Sequence, residues 1–277
     1  MKEKMEKILE WIYLIDSEKK WNITTIMVWV HWNEISWVKA LDEIKSNLEL
    51  ISWKVYFVYA NQKAIKKNVR FTEKNLNRCF LKNNNWNTYE EKRAKEIIDI
   101  LEKSDYLLDI HNTTSFNSSL EFLITTHIDY AKYFNVNKVV SHIDDIQKWW
   151  SDWFMDSIWK KWFCLECGSI NYWDKEKSKI LAKKSILNFL KVTKNISWEP
   201  EVFDNDKLII KMKLMYKTKS NDFKLAREFK DFEEIKRWEL IWIDWKEKII
   251  NKQDSIILFA HNRKQVNSEW FCLGVKL

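Results

Sequence analysis

The chain has 277 residues, of which 46% are hydrophobic and 31% charged, with a formal charge of +7. That length suits one large or two modest domains with a sizeable core, and the absence of any long apolar run excludes a membrane-spanning helix from the expected elements. The lysines are scattered rather than blocked, so a solvated basic surface is the better reading than a nucleic-acid footprint, and an anionic small substrate suits such a surface.

Residues 1–20 carry Met5, Ile8, Leu9 and Ile12 at helical spacing among charges. A short amphipathic helix is expected there. A signal peptide would need a continuous apolar segment, so a cytoplasmic protein is expected. Residues 23–30 are apolar and β-branched, the composition of a buried strand. Leu41, Ile44, Leu48 and Ile51 mark a helix, and residues 54–60 a second strand. The polar stretch 61–87 is longer than an ordinary connection, and long ordered loops are often functional. Ala94, Ile97, Ile98 and Leu101 give another helix, residues 106–110, 120–125 and 162–167 further strands, and Ala182, Ile186, Phe189 and Leu190 one face of a closing helix. Alternating strands and helices predict an α/β fold over residues 1–194, a mostly parallel sheet flanked by helices. From residue 195 the period changes to two: Ile210, Met212, Leu214 and Tyr216 alternate with lysines, and strands follow at 240–243 and 256–260. Residues 195–277 therefore read as a smaller all-β domain.

Eighteen tryptophans stand beside two glycines. Glycine normally makes up about 7% of a chain, because tight turns need its freedom at positive φ. The tryptophans occupy turn-like contexts: Asp244-Trp245-Lys246, Arg237-Trp238-Glu239, Glu269-Trp270-Phe271, and Trp198 before Glu199-Pro200. Taken together, 18 and 2 give 20 of 277, an ordinary glycine share. The expectation is that most are glycines encoded by UGA in a lineage that reads this codon as glycine. The abundance of Lys, Ile and Asn fits the AT-rich genome such a lineage would have.

Cys79, Cys164, Cys167 and Cys272 form no disulfide or zinc-ribbon framework. Cys164-Leu165-Glu166-Cys167 is formally C-x-x-C, but residues i and i+3 of a strand point to opposite faces, so buried thiols are expected.

His31 closes the first strand, Glu34 follows three residues on near a helix start, and His111 follows the strand Leu107-Leu108-Asp109-Ile110. All three therefore fall at the carboxyl ends of strands, the edge where open α/β sheets bind ligands. Two histidines and one carboxylate with an open fourth position make the ordinary catalytic zinc set. Glycine at position 32 would let the backbone turn beside such a metal, where tryptophan would not.

Four ordered blocks between about residues 23 and 172 resemble the succinylglutamate desuccinylase/aspartoacylase family of zinc hydrolases, relatives of the zinc carboxypeptidases. They are Val30-His31-Trp32-Asn33-Glu34 (H-G-N-E if Trp32 is glycine); Ala60-Asn61 with Arg70 and Asn75-Leu76-Asn77-Arg78-Cys79-Phe80; Asp109-Ile110-His111-Asn112-Thr113-Thr114; and Leu165-Glu166-Cys167-Gly168. The resemblance implies one Zn²⁺ per chain held by His31, Glu34 and His111, with the pKa of its water lowered to about 7. It implies Glu166 as general base and then acid, Arg70 facing the amide oxygen, and Asn77 and Arg78 gripping a substrate carboxylate. Asp109 would orient His111. His127, His142 and His261 have no motif around them and read as structural.

The expected activity is hydrolysis of the amide of an N-acyl amino acid or a similar small anionic amide. A carboxypeptidase-like peptidase is the close variant, and a family member that keeps the fold without turnover is a further one. From another class comes a non-catalytic, aromatic-rich module that stacks sugars or single strands. Some family members place another arginine shortly before the glutamate. Here Lys160 and Lys161 precede Glu166, which argues against a second acidic group on the substrate. Gln62 stands where the family commonly has proline.

Overall fold

The computed structural model of the chain describes residues 5–18, 22–28, 30–31, 35–46, 48–51, 54–113, 121–169, 175–262 and 269–277. Its elements in chain order are β1 (Glu6–Leu9), β2 (Ile12–Asp16), β3 (Thr24–Val28), α1 (Ile35–Lys45), β4 (Lys54–Tyr59), α2 (Gln62–Lys67), α3 (Tyr89–Leu101), β5 (Tyr106–Thr113), β6 (Glu121–Ile124), β7 (Lys138–Ser141), α4 (Ser151–Ser157), β8 (Lys161–Ser169) and α5 (Lys175–Val192). The remaining strands are β9 (Leu208–Lys217), β10 (Lys224–Leu225), β11 (Glu233–Ile235), β12 (Leu240–Asp244), β13 (Glu247–Ile250), β14 (Ser255–Leu258) and β15 (Glu269–Lys276).

The start of the chain is a hairpin, not the expected helix. β1 and β2 pair antiparallel with Leu9 opposite Ile12 across the two-residue turn Glu10-Trp11. Trp11 has φ 60°, the left-handed conformation that such short hairpin turns demand. The helix-like spacing of Met5, Ile8, Leu9 and Ile12 is overridden by tertiary pairing, because β2 forms a ladder along β4 and buries Ile12 and Ile15. The helix expected to include Leu48 and Ile51 ends earlier, at Lys45.

Twelve strands form one sheet in the order β1-β2-β4-β3-β5-β8-β6-β7-β9-β15-β14-β11. The run β4-β3-β5-β8 is parallel, as is β6-β7-β9, but β6 lies antiparallel to β8, and β1-β2-β4 and β9-β15-β14-β11 are antiparallel. The sheet is thus mixed, which corrects the expectation of a mostly parallel one. The expectation reached too far because helical crossovers link only part of the strand sequence. β9 pairs with β7, so hydrogen bonding runs unbroken across residue 195. β10, β12 and β13 form a separate small sheet.

Strand alternation sorts the core into layers. Met27, Leu107, Trp162 and Cys164 pack on one face with Ala94, Ile97 and Leu101 of α3 and with Phe154 and Met155 of α4. Ile26, Val28, Leu108, Ile110, Phe163 and Leu165 pack on the other with Leu41 of α1 and Ile186 and Phe189 of α5. Phe223, Phe229, Trp242 and Phe271 centre a third cluster in the C-terminal part.

Thirteen non-glycine residues among those described have positive φ, and seven are tryptophan: Trp11, Trp86, Trp149, Trp159, Trp198, Trp238 and Trp245. Trp159 is 95% exposed and Trp198 82%, so burial of the indole gives nothing back for the strained backbone. Trp270, expected in a turn, lies in β15 at a break in register with β9, a bulge site that glycine also favours. The left-handed region costs a non-glycine residue about 1–2 kcal/mol, whereas glycine loses roughly 0.5–1 kcal/mol more chain entropy on folding. Relief of strain wins narrowly. Trp159→Gly, Trp198→Gly, Trp238→Gly and Trp245→Gly should each raise stability by about 0.5–1 kcal/mol in urea titrations. Destabilisation at all four would contradict this balance.

Candidate active site

Three neighbouring strands deliver three of the expected residues to one edge. β3 and β5 run parallel with Val28 level with Ile110. The chain then continues through the buried Val30 to His31, while β5 continues one residue to His111. The two imidazoles are buried, 5.9 Å apart between ring centroids and tilted by 57°. On the other side of β5, His111 is in register with Glu166 of β8. Paired residues of adjacent parallel strands project to the same face about 5 Å apart. Glu166 is therefore the side-by-side neighbour of His111 on the face covered by α3 and α4. Glu34 and Trp32 lie outside the described residues.

His111 is braced from behind. Asp109, two residues earlier and hence on the same face, places Oδ2 2.9 Å from Nε2 of His111. Ser151, at the start of α4, donates its hydroxyl to that same Oδ2 at 2.8 Å. Asp152 and Asp144 are buried nearby. Burial, reinforced by the Asp109 charge, pushes the Asp152 carboxyl up to about 7. Burial, with the charges of Asp152, Asp156 and Asp145 adding, pushes Asp144 up to about 9. In the unfolded chain Asp144 would ionise near 4. Between there and pH 9 the folded Asp144 keeps a proton that the unfolded one has lost, so its contribution makes stability fall as pH rises through this window. Asp144→Asn should remove a slope of up to about 1.4 kcal/mol per pH unit. Urea titrations at pH 5 and pH 8 would test it, and parallel losses in parent and variant would mean that Asp144 is already ionised.

The polar stretch 61–87 is ordered. Asn61 caps α2 by accepting from the Ala64 N–H, and Asn68 ends it in the left-handed conformation. Gln62 donates from Nε2 to the Glu10 carbonyl at 2.8 Å, tying this stretch to the β1–β2 turn, a bond that proline at this position could not make. Arg70 follows, half-buried. A 3-10 turn at Leu76–Arg78 is set by Asn75, whose side chain accepts from the Asn77 N–H. Leu76, Cys79 and Phe80 are fully buried and anchor the turn, and Asn77 is 8% exposed beside them. Arg78 lies over the Trp150 ring at 5.2 Å, and the Phe80 N–H donates to the Trp149 carbonyl. Since Ser151 follows directly and bonds Asp109, the segment 149–151 joins the Arg78 turn to the bracing of His111.

The sequence did not single out Ser151 and Asp152, polar residues set among aromatic ones, nor Asp144, set between isoleucines, nor Glu90, hidden inside the capping box of Thr88 and Glu91. His127 packs on Phe163 at 5.8 Å and burial draws its pKa down; it lies in a different layer from His31 and His111. Cys164 and Cys167 fall in opposite core layers, as strand alternation predicts.

The family model for the succinylglutamate desuccinylase/aspartoacylase catalytic domain matches residues 25–192. The chain belongs to this family. A probable aspartoacylase from Nostoc sp. is 29% identical over 168 residues, which cover 54% of this chain and 56% of that protein. The match thus spans little more than half the length of this curated relative. Among solved structures, the fold is similar to succinylglutamate desuccinylases from Vibrio cholerae (TM-score 0.78, 14% identity, 100% of this chain and 91% of that one) and Vibrio parahaemolyticus (0.77, 15%, 96% and 86%). It is also similar to a product-bound ectoine utilization protein from Ruegeria pomeroyi (0.72, 16%, 96% and 88%). No helix among the described residues is long and apolar enough to cross a membrane.

Proposed function

We propose that the protein is a zinc-dependent hydrolase that cleaves the amide bond of an N-acyl amino acid. The observation that carries this reading is the meeting of His31, His111 and Glu166 at the carboxyl ends of β3, β5 and β8. Among the described residues no group of three His, Cys, Asp or Glu could hold a metal alone, and the third donor in this reading, Glu34, lies outside them. The donors that are described fit zinc in kind: two buried imidazoles, one with its Nε2 2.9 Å from the Asp109 carboxylate. Zinc, when bound, supplies an acidified water and polarises the amide carbonyl. Glu166 takes the water's proton and returns it to the leaving amine. Arg70 stabilises the charge that develops on the amide oxygen, and Asn77 and Arg78 hold the substrate carboxylate.

The test is metal analysis followed by a screen of N-acyl amino acids for release of the free amino acid. About one zinc per chain with turnover of such a substrate is expected. Cleavage of peptides instead would shift the reading to a carboxypeptidase-like enzyme, and a protein that holds no zinc and turns over none of these substrates would overturn it.

The reading includes glycine at position 32 and at most of the other tryptophan positions, supported by the seven left-handed tryptophans. The intact mass of the protein isolated from its own cells decides this. A mass equal to that of the printed sequence would sink it.

A further inference from the structure

The carboxylate of Glu90 is wholly buried at the first turn of α3, where it accepts hydrogen bonds from the 61–74 stretch. Oε1 accepts from the Thr72 N–H at 2.6 Å, the Thr72 hydroxyl at 2.8 Å and the Asn61 amide at 3.5 Å. Oε2 accepts from the N–H groups of Glu73 at 3.2 Å and Lys74 at 3.3 Å. Three consecutive backbone N–H groups thus converge on one side chain, two residues after Arg70 and immediately before the Asn75–Arg78 turn. Neighbours reinforce the hold: Lys74 Nζ lies 2.7 Å from Glu91, and Glu73 accepts from the Tyr89 N–H. On the next turn, Arg93 donates to the carbonyls of Tyr59 and Ala60 at the end of β4. The start of α3 therefore fixes both ends of the connection that carries Arg70, Asn77 and Arg78.

Helix capping accounts for Glu91, whose Oε2 accepts from the N–H groups of Asn87 and Thr88. It does not account for Glu90, which reaches away from its own helix. A buried carboxylate is costly unless fully hydrogen-bonded. Here its ligands are five donors, a set only an acceptor-only group can satisfy.

We propose that Glu90 is a positioning residue for catalysis, setting the 70–78 connection so that Arg70 and the Asn77-Arg78 pair face the substrate from fixed places. The inference rests on the substrate-gripping roles proposed above for those residues. Misplacing a reacting or gripping group by about 1 Å can cost on the order of 100-fold in rate, and charge-assisted bonds are the stronger kind that can prevent this.

Glu90→Gln tests it with volume retained, because it sets an amide NH₂ against donors on one side. Zinc content and circular dichroism should match the parent, while kcat/KM falls by roughly 10- to 100-fold. A double-mutant cycle separates positioning from general structure. In Arg70→Ala and Arg78→Ala backgrounds the Glu90→Gln loss should shrink to within about threefold, since residues in one network are not additive. A loss of equal size in all backgrounds, or parent-like activity in Glu90→Gln, overturns the proposal. If Glu90→Gln fails to fold, Thr72→Val removes one donor and should give a smaller loss with the same non-additivity; an additive loss overturns it. Should the parent turn over no N-acyl amino acid, the activity reading alone fails. Glu90 is then judged by amide exchange: faster exchange confined to residues 70–78 in Glu90→Gln sustains its hold on the connection, and unchanged exchange refutes it.

Discussion

His111→Ala is expected to purify with zinc content reduced from about one per chain to near zero, and with no measurable amide hydrolysis. The imidazole is one of two buried at this edge, 5.9 Å apart, and a site reduced to two protein donors does not hold a catalytic metal. The variant should also lose stability beyond that of His31→Ala. Removing the His111 ring takes away the Nε2 that faces Asp109, which is 1% exposed. The Ser151 hydroxyl still donates to this carboxylate, so the added loss should be about 1 kcal/mol or less. Metal analysis and urea titration of the two variants side by side measure both effects. Full zinc occupancy in His111→Ala would place the metal elsewhere.

Glu166→Gln should separate chemistry from metal binding. The residue is in register with His111 but comes from the next strand, and it stands outside the proposed ligand set. Zinc should therefore remain, and the near-identical size of glutamine should preserve the fold. What disappears is the carboxylate that accepts the water's proton and hands it to the amine. General acid–base catalysis of this kind is worth about 10²–10⁴-fold, and kcat should fall by that factor. Arg78→Ala should behave differently, raising KM with little change in kcat, because a carboxylate grip is made equally in ground and transition states. Near-normal turnover in zinc-loaded Glu166→Gln would leave the mechanism without its base.

The proximity of His31, His111 and Glu166 was legible in the sequence because they sit in short blocks at strand ends, where register is set by a few β-branched residues. Three of the four strands next to it, β3, β4 and β5, come from continuous runs of Val, Ile, Leu, Tyr and Phe. The β1–β2 hairpin was not legible, because its turn is written Glu10-Trp11. A glycine there would have signalled the turn and broken the apparent helical face. β7 and α4 were missed because each is short and its apolar residues, Val139-Val140 and Phe154-Met155, are bounded by polar ones without a clear period. The antiparallel placement of β6 depends on long-range pairing that no local pattern encodes. In β9 the alternation held at Ile210 and Met212, both buried, and failed at Leu214, 44% exposed, where β15 slips in register. Glu90 and Ser151 escaped because their partners lie across the fold, 16–18 and 42 residues away.

The four cysteines are buried thiols distributed over two core layers, and this makes them clocks for the opening of each layer. Cys79, Cys164 and Cys272 lie on the side of α3 and α4, and Cys167 on the side of α1 and α5. Burial pushes the Cys79 thiol up to about 12, so even brief exposure without full hydration leaves little reactive thiolate. Labelling by an alkylating reagent under native conditions would then proceed at the rate at which each layer comes apart. Mapping which cysteine is modified first would show whether the face that carries His111 and Glu166 loosens independently of the opposite one.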